Sequence, residues 1–293
     1  MKKISLILFF FIMGLFTCIT AQDKTAVDNL SNYAPKDTLQ GWKRSGIAGI
    51  TFGQTSLNNW VAGGNNTVSG NFILNASANY LKNKWFWDNN LSAEYGMVYS
   101  SSTDWQKATD KLNLTSIAGY KVSSRWAAAF LLNFYSQFSK GYNYPDKTHH
   151  ISNLLAPAYL DAALGLSYKQ SDYALFLSPL AQRAIFVLDD SLSNIGAFGV
   201  KEGKKLRFET GAYVLASTSQ TISENLKLIA SLNLFTPYNE DFGNIDTNLN
   251  LLLSYKLNKL LTATLNTTLR YYDDEIKKVQ FKEILGLGLT YNF

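Results

Sequence analysis

The sequence predicts an all-β fold: a closed antiparallel transmembrane β-barrel of about twelve strands, preceded by a signal peptide and a short N-terminal segment. Three observations predict it. From about Ser45 to Phe293, apolar and polar residues alternate with period two, and no helical period appears. The links between these runs are alternately short and long. The aromatic residues of the apolar phase collect at strand ends beside the short links, with Leu and Ala between them.

The bulk composition permits this reading. The chain has 293 residues, 46% of them hydrophobic, and a mean hydropathy of −0.08. That average excludes a polytopic helical membrane protein. It does not exclude a barrel, whose strands average to neutral because the two faces differ. Aromatics are high at 14%, dominated by 17 Tyr and 18 Phe, and only 5 prolines occur to interrupt the alternation.

The N-terminus reads as an export signal over residues 1–21. Lys2 and Lys3 form a basic start, Ile4 to Phe16 an apolar core, and Ala21 a cleavage position. The core is too short to span a bilayer as a helix. Cys18, the single cysteine, lies inside it; Phe16-Thr17 are a poor match to a lipoprotein signal, which needs a small residue before the cysteine. Cleavage after Ala21 leaves no cysteine for a disulfide, metal or redox site. It also removes Lys2 and Lys3 and so lowers the formal charge from +5 to +3 (5 − 2), too weak a balance to imply nucleic acid. Residues 22–44 are polar and aperiodic, with Pro35, and predict a flexible periplasmic lead-in to a barrel over 45–293.

The strands follow in order. A weak first strand surrounds Ile50 and Phe52. The second places Val68, Gly70, Phe72, Leu74, Ala76, Ala78 and Tyr80 on one face, opposite Thr67, Ser69, Asn71, Ile73, Asn75, Ser77 and Asn79. The third runs from Trp85 to Tyr99, the fourth from Leu112 to Tyr120, the fifth from Trp126 to Phe138 and the sixth from Ala158 to Tyr168. The seventh starts at Tyr173 and loses phase near Pro179, where a bulge or strand end is expected. Runs around Leu206–Val214, Leu226–Leu234, Leu249–Tyr255 and Leu261–Tyr271, then the terminal strand, complete the set. "LKNK", "KVSSR", "KQSD" and "KLNK" are tight turns, with a somewhat longer link around "STSQTISEN". Six longer polar segments lie between them, including "SSSTDWQKATD" and "DDEIKK". This interleaving predicts short periplasmic turns, long outer loops and both chain ends on the periplasmic side.

Tyr80, Trp85, Trp87, Tyr120, Trp126, Tyr168, Tyr173, Tyr255, Tyr291 and Phe293 all sit beside short turns on the apolar phase. Amphipathic rings concentrate where a bilayer meets water, so the stripe faces lipid and the polar phase faces the lumen. An open edge in lipid would strand backbone groups, so the first strand must pair with the last. The terminal strand, with Leu289, Tyr291 and Phe293 in phase, resembles the signal read by barrel-assembly machinery.

The segment Gly41 to Phe72 carries Gln54, Thr55, Leu57, Asn59, Trp60, Gly63 and Gly64 in a Q-T-x-L-x-N-W-x-x-G-G arrangement. It resembles the opening of an uncharacterised family of Bacteroidota outer-membrane proteins, a domain-of-unknown-function family. The resemblance implies the barrel and its cell-outer-membrane location. It implies no activity.

Function must then come from the lumen or the loops. The lumen phase is rich in Asn, Ser, Thr and Gly, with sparse charges at Glu94, Asp161, Arg207, Glu209, Lys227 and Arg270. These fit a polar constriction for a small, neutral, hydroxyl-rich solute, or an interior that simply holds the barrel together. Asn59, Trp60, Gly63 and Gly64 are candidates for a plug loop, or for a compact turn packed on the rim. His149 and His150 are the only histidines; an outer-membrane hydrolase would need one beside a Ser or carboxylate. Their place in a loop favours solvation, and no metal site, cofactor or enzymatic activity is expected. The acids Asp189, Asp190, Glu240, Asp241, Asp273, Asp274 and Glu275 lie in outer loops, where divalent cations bridging them to acidic glycolipid compete with simple solvation. Expected partners are outer-membrane lipid, the barrel-assembly machinery and a small polar solute. The preferred reading is a channel or gated path; the alternative is a structural or surface-interaction barrel with a plugged lumen.

Overall fold

The computed structural model describes residues 40–58, 65–238, 243–258 and 261–292. The expected signal peptide, most of the lead-in, and Asn59, Trp60, Gly63, Gly64 and Phe293 lie outside the described residues. Twelve strands close into an antiparallel barrel: β1 (Gly41–Thr55), β2 (Thr67–Lys82), β3 (Trp85–Ser100), β4 (Asp104–Lys121), β5 (Trp126–Ser136), β8 (Ala158–Gln170), β9 (Tyr173–Phe186), β10 (Leu206–Thr221), β11 (Leu226–Pro237), β12 (Asp246–Lys256), β13 (Leu261–Tyr272) and β14 (Ile276–Asn292). The short hairpin β6 (Gly141–Tyr142) and β7 (His150–Ser152) forms a separate sheet in the loop after β5. Each barrel strand pairs with its sequence neighbour, and β1 pairs with β14.

The predicted phase holds around the ring. Leu131 is 0% exposed and points inward, whereas Leu132 is 38% exposed and points out. Leu285, Leu287 and Leu289 on β14 are exposed on the outside, with Phe72 on β2 and Leu164 and Leu166 on β8. A water-facing surface would not carry so continuous an apolar belt. Trp42, Tyr80 and Trp87 cluster with ring centroids 5.2 and 5.7 Å apart; Trp85 meets Tyr120 at 5.1 Å and Trp126 meets Tyr168 at 5.0 Å, all at the short-turn end. Tyr99 and Trp105 pair at the opposite end, 5.4 Å apart. On β3 the two belts are separated by the run from Trp87 to Tyr99, about 40 Å of strand at about 3.3 Å per residue. A tilt of roughly 40° reduces this to about 30 Å, the depth of a bilayer's hydrocarbon core. Among the described residues no helix is long and apolar enough to cross a membrane.

Several boundaries differ from expectation. β1 begins at Gly41, inside the expected lead-in, because Trp42 already belongs to the aromatic belt; Arg44 and Gly46 interrupt the apolar phase and conceal the strand. "SSSTDWQKATD" is mostly strand, since β3 and β4 remain paired out to Ser100 opposite Asp104. "DDEIKK" contains only the tight turn Asp273–Glu275. Strands that project beyond lipid need pairing but no apolar stripe, so their outer ends read as loop. The β10–β11 link is as tight as the other short turns, for Thr221 pairs with Lys227. Near Pro179 the expected irregularity is a bulge: the partners jump from Ala181 to Ser178 against β10 and from Leu180 to Leu177 against β8. β9 continues past it to Phe186 with its faces exchanged, putting Leu180 outside and Arg183 inside.

Candidate functional site

The lumen is built in tiers. Nearest the short turns, Lys169 on β8 reaches Asp88 on β3 and lies 4.5 Å over the Phe86 ring. Beside this latch an apolar cluster fills one side of the bore. Leu81, Phe86, Leu131, Phe176, Tyr213 and Phe235 form its larger members. Lys227 is buried at this end of β11.

The middle tier crosses the bore. Lys111 Nζ on β4 lies 3.4 Å from Asn250 Oδ1 on β12, on opposite sides of the ring. Asn266 Nδ2 on β13 donates to Glu94 Oε1 on β3 at 2.8 Å. Lys282 Nζ on β14 donates to Thr109 Oγ1 at 2.9 Å and stands 3.8 Å from Glu94 Oε2.

The tier toward the loops is ionic and aromatic. Arg183 is 2% exposed; its Nε donates to Asp161 Oδ1 at 2.6 Å and its Nη1 to Asp246 Oδ2 at 2.5 Å. Its guanidinium stacks 4.0 Å from the Phe235 ring. Arg270 donates to the Tyr135 hydroxyl at 2.8 Å and to Glu275 Oε1 at 2.5 Å, and stacks 4.0 Å from Tyr272. Arg207 bridges Glu209 and Asp274, each at 2.7 Å. The loop 187–205, with the short helix α1 (Asp190–Asn194), folds onto this tier, and Arg207 Nη1 also reaches Gly199 O at 3.2 Å. Gly199 has a φ of +71°, a backbone conformation that residues carrying a Cβ adopt only with strain.

All six predicted lumen charges therefore point inward, but they do not form one constriction. Glu94 belongs to the middle tier, Lys227 to the turn-side mouth, and Asp161, Arg207, Glu209 and Arg270 to the loop-side tier. Asp274 and Glu275 face these interior arginines, so they are not surface cation bridges; Glu240 and Asp241 lie outside the described residues. Arg183, Lys111 and Lys282 were not singled out by sequence reasoning. The bulge hid the first, since its phase runs counter to the rest of β9. Lys282 does fall opposite the stripe of Leu285, Leu287 and Leu289, a signal that could have found it.

Three cavities follow one another along the bore. The outermost, about 440 Å³, is lined by residues including Tyr135, Gln137, Ile151, Phe198, Arg270 and Gln280. The next, about 210 Å³, shares Tyr135, Arg270 and Gln280 with it and adds Lys111, Asn250 and Lys282. The innermost, about 90 Å³, shares Lys111 and Asn250 with the second and reaches down past Glu94 and Asn266 to Ser45 and Ser77.

The loop histidines are placed differently from expectation. His149 is exposed beside Asp146, but His150 is largely buried: its Nε2 lies 2.9 Å from Asp189 Oδ2 and 3.1 Å from Ser191 Oγ. A catalytic relay requires the carboxylate and the nucleophile on different ring nitrogens. Here both approach the same one, and the Ser191 hydroxyl donates to Asp189 at 2.5 Å. That bond, supported by Asn153 and the Leu192 amide at the start of α1, holds the Asp189 carboxyl well below the usual carboxylate range. The arrangement clamps two loops together.

Residues 52–142 match a family model described as a protein of unknown function (DUF3078). The match overlaps the Gly41–Phe72 segment that resembles such a family and extends through β5. No curated protein matches the chain. Among solved structures, the chain is similar to an outer-membrane channel from Pseudomonas putida F1, at 14% identity and a TM-score of 0.41, over 93% of this chain and 99% of that one. It is also similar to the translocator domain of the autotransporter NalP from Neisseria meningitidis, at 11% identity and TM-score 0.39, over 99% and 98%. The NanC porin aligns at 10% identity and TM-score 0.35, over 85% and 97%. At these scores the likenesses transfer no property to this chain, and the closed barrel stands on its own strand pairing.

Proposed function

We propose that the chain is an outer-membrane channel whose bore has been narrowed to a gated path for a small polar solute. The observation that carries this reading is the series of cavities, about 440, 210 and 90 Å³, that share lining residues in succession. The path narrows where Glu94–Asn266 and Lys111–Asn250 cross the bore. These are individual side-chain hydrogen bonds, each contributing about 0.5–1.5 kcal/mol net, rising to about 1.5–3 kcal/mol where a charge is involved. Bonds of that size open and close readily, as a gate requires. The short turns and both barrel ends, at Gly41 and Asn292, lie at one mouth, which in this reading is periplasmic. Lipid and the barrel-assembly machinery are the partners this placement calls for.

The test is single-channel conductance in planar bilayers. The wild-type barrel should pass a small, fluctuating current, and Glu94→Ala with Asn266→Ala should enlarge it. Absence of current in both proteins at all voltages would refute the path.

One observation favours a second reading, a structural or surface-interaction barrel. The apolar cluster and the Arg183 tier occupy the other side of the bore with buried side chains, Leu131, Phe176 and Arg183 among them. In that case deleting the loops 137–157 and 187–205 should remove a partner contact without opening a pore. A histidine-dependent hydrolase is the third reading; full lipid turnover by a His149→Ala, His150→Ala double variant would dispose of it.

A further inference from the structure

Resting on the path proposed above, we infer that its middle cavity is a binding site for a small oxyanion, a carboxylate or phosphate group. The reason is an imbalance of charge. Elsewhere in the bore, Arg183 is matched by Asp161 and Asp246, Arg207 by Glu209 and Asp274, and Lys169 by Asp88. Three cations, Lys111, Arg270 and Lys282, line the middle cavity against a single acid, Asp110, which is itself paired with Lys107. Lys282 lies within electrostatic reach of both others.

The carboxylates nearby are already engaged. Asp110 accepts from Lys107, from the Phe138 and Ser139 amides and from the Ser139 hydroxyl. Glu275 serves Arg270, the Tyr159 hydroxyl and Gln280. Glu94 accepts from Asn266 through one oxygen and stands 3.8 Å from Lys282 through the other. Lys111 forms no ion pair among the described residues, although Glu94 stands opposite it in the β3–β4 register. Among the described residues its ammonium donates to the Asn250 carbonyl alone, at 3.4 Å. A half-buried ammonium so poorly matched is held in a low-dielectric bore that strengthens its field.

The remaining lining suits an oxyanion. Asn248, Asn250 and Gln280 bring side-chain amides to the cavity, each NH2 keeping a hydrogen beyond the one that Asn250 donates to Asn248 and Gln280 to Glu275, and Tyr135 closes one wall. Its volume of about 210 Å³ admits an anion of a few heavy atoms with water. A solute entering from the 440 Å³ vestibule would meet this field before the narrowest cavity, so the site would select charge ahead of size.

The test uses the full barrel refolded in detergent micelles at low ionic strength, titrated calorimetrically with oxalate and, separately, with inorganic phosphate. At least one should bind, and Lys111→Gln and Lys282→Gln should each weaken it about tenfold or more, the usual effect of losing a charge-assisted hydrogen bond. Glutamine at 111 keeps an amide donor for Asn250, and heat-modifiable gel mobility verifies that each variant folds. In planar bilayers under a potassium chloride gradient, the wild type should prefer chloride and the double variant should lose that preference. Failure of both probes to bind, unchanged binding by both variants, or cation preference in the wild type would overturn the site. Binding without current would leave the site and remove the path; current without binding or anion preference would do the reverse.

Discussion

Leu132→Arg tests the premise that the exterior meets hydrocarbon. Leu132 is 38% exposed on β5, six residues after Trp126 in the turn-side belt. At about 3.3 Å per residue and a tilt of roughly 40°, it stands about 15 Å above that belt, near the middle of a hydrocarbon layer about 30 Å deep. An arginine at the midplane of a barrel's lipid face costs about 2–4 kcal/mol. That shift lowers the folded-to-unfolded ratio about 30-fold to nearly 1,000-fold at 1.36 kcal/mol per decade. On a water-facing surface the same change would stay within about 0.5 kcal/mol. The assay is denaturant titration of the barrel refolded into phospholipid vesicles. Leu154→Arg serves as control, since Leu154 is exposed in the loop after β5. A Leu132→Arg barrel within about 0.5 kcal/mol of wild type would refute a lipid-facing exterior.

Two further outcomes are expected. The pair Ile50→Cys, Leu289→Cys should oxidise to a disulfide, because the two positions face each other across the β1–β14 seam. The product should resist heat-induced unfolding on gels; a barrel whose β1 and β14 do not meet could not form it. Arg183→Ala should destabilise the barrel by about 3–5 kcal/mol, since it leaves Asp161 and Asp246 buried without their counter-charge. Adding Asp161→Asn should recover part of that loss in the same titration; no recovery would show that the pair does not act as a unit.

Strand phase was legible because it is a local property. Leu285, Leu287 and Leu289 declare their face by spacing alone, and so do Trp85, Trp87 and Tyr120 by where they stand relative to short turns. Closure followed from the solvent, because lipid cannot satisfy an open edge. The partners across the bore were not legible. Lys111 and Asn250 are 139 residues apart in sequence and meet only because their strands stand on opposite sides of a closed ring. Outer strand ends, freed from lipid, lost the apolar stripe and passed for loops at "SSSTDWQKATD" and "DDEIKK".

The sequence by itself determined which side chains face lipid and which face inward wherever the alternation runs unbroken, since there a period of two and a hydrophobic solvent leave no other arrangement. Only the tertiary structure decided how the inward charges match. Asp274 and Glu275, two residues of one turn, went to different arginines, and the β9 bulge brought Arg183 to the lumen. The physical reason is that pairing inside a barrel depends on register and circumference, quantities that belong to the whole ring and to no single strand.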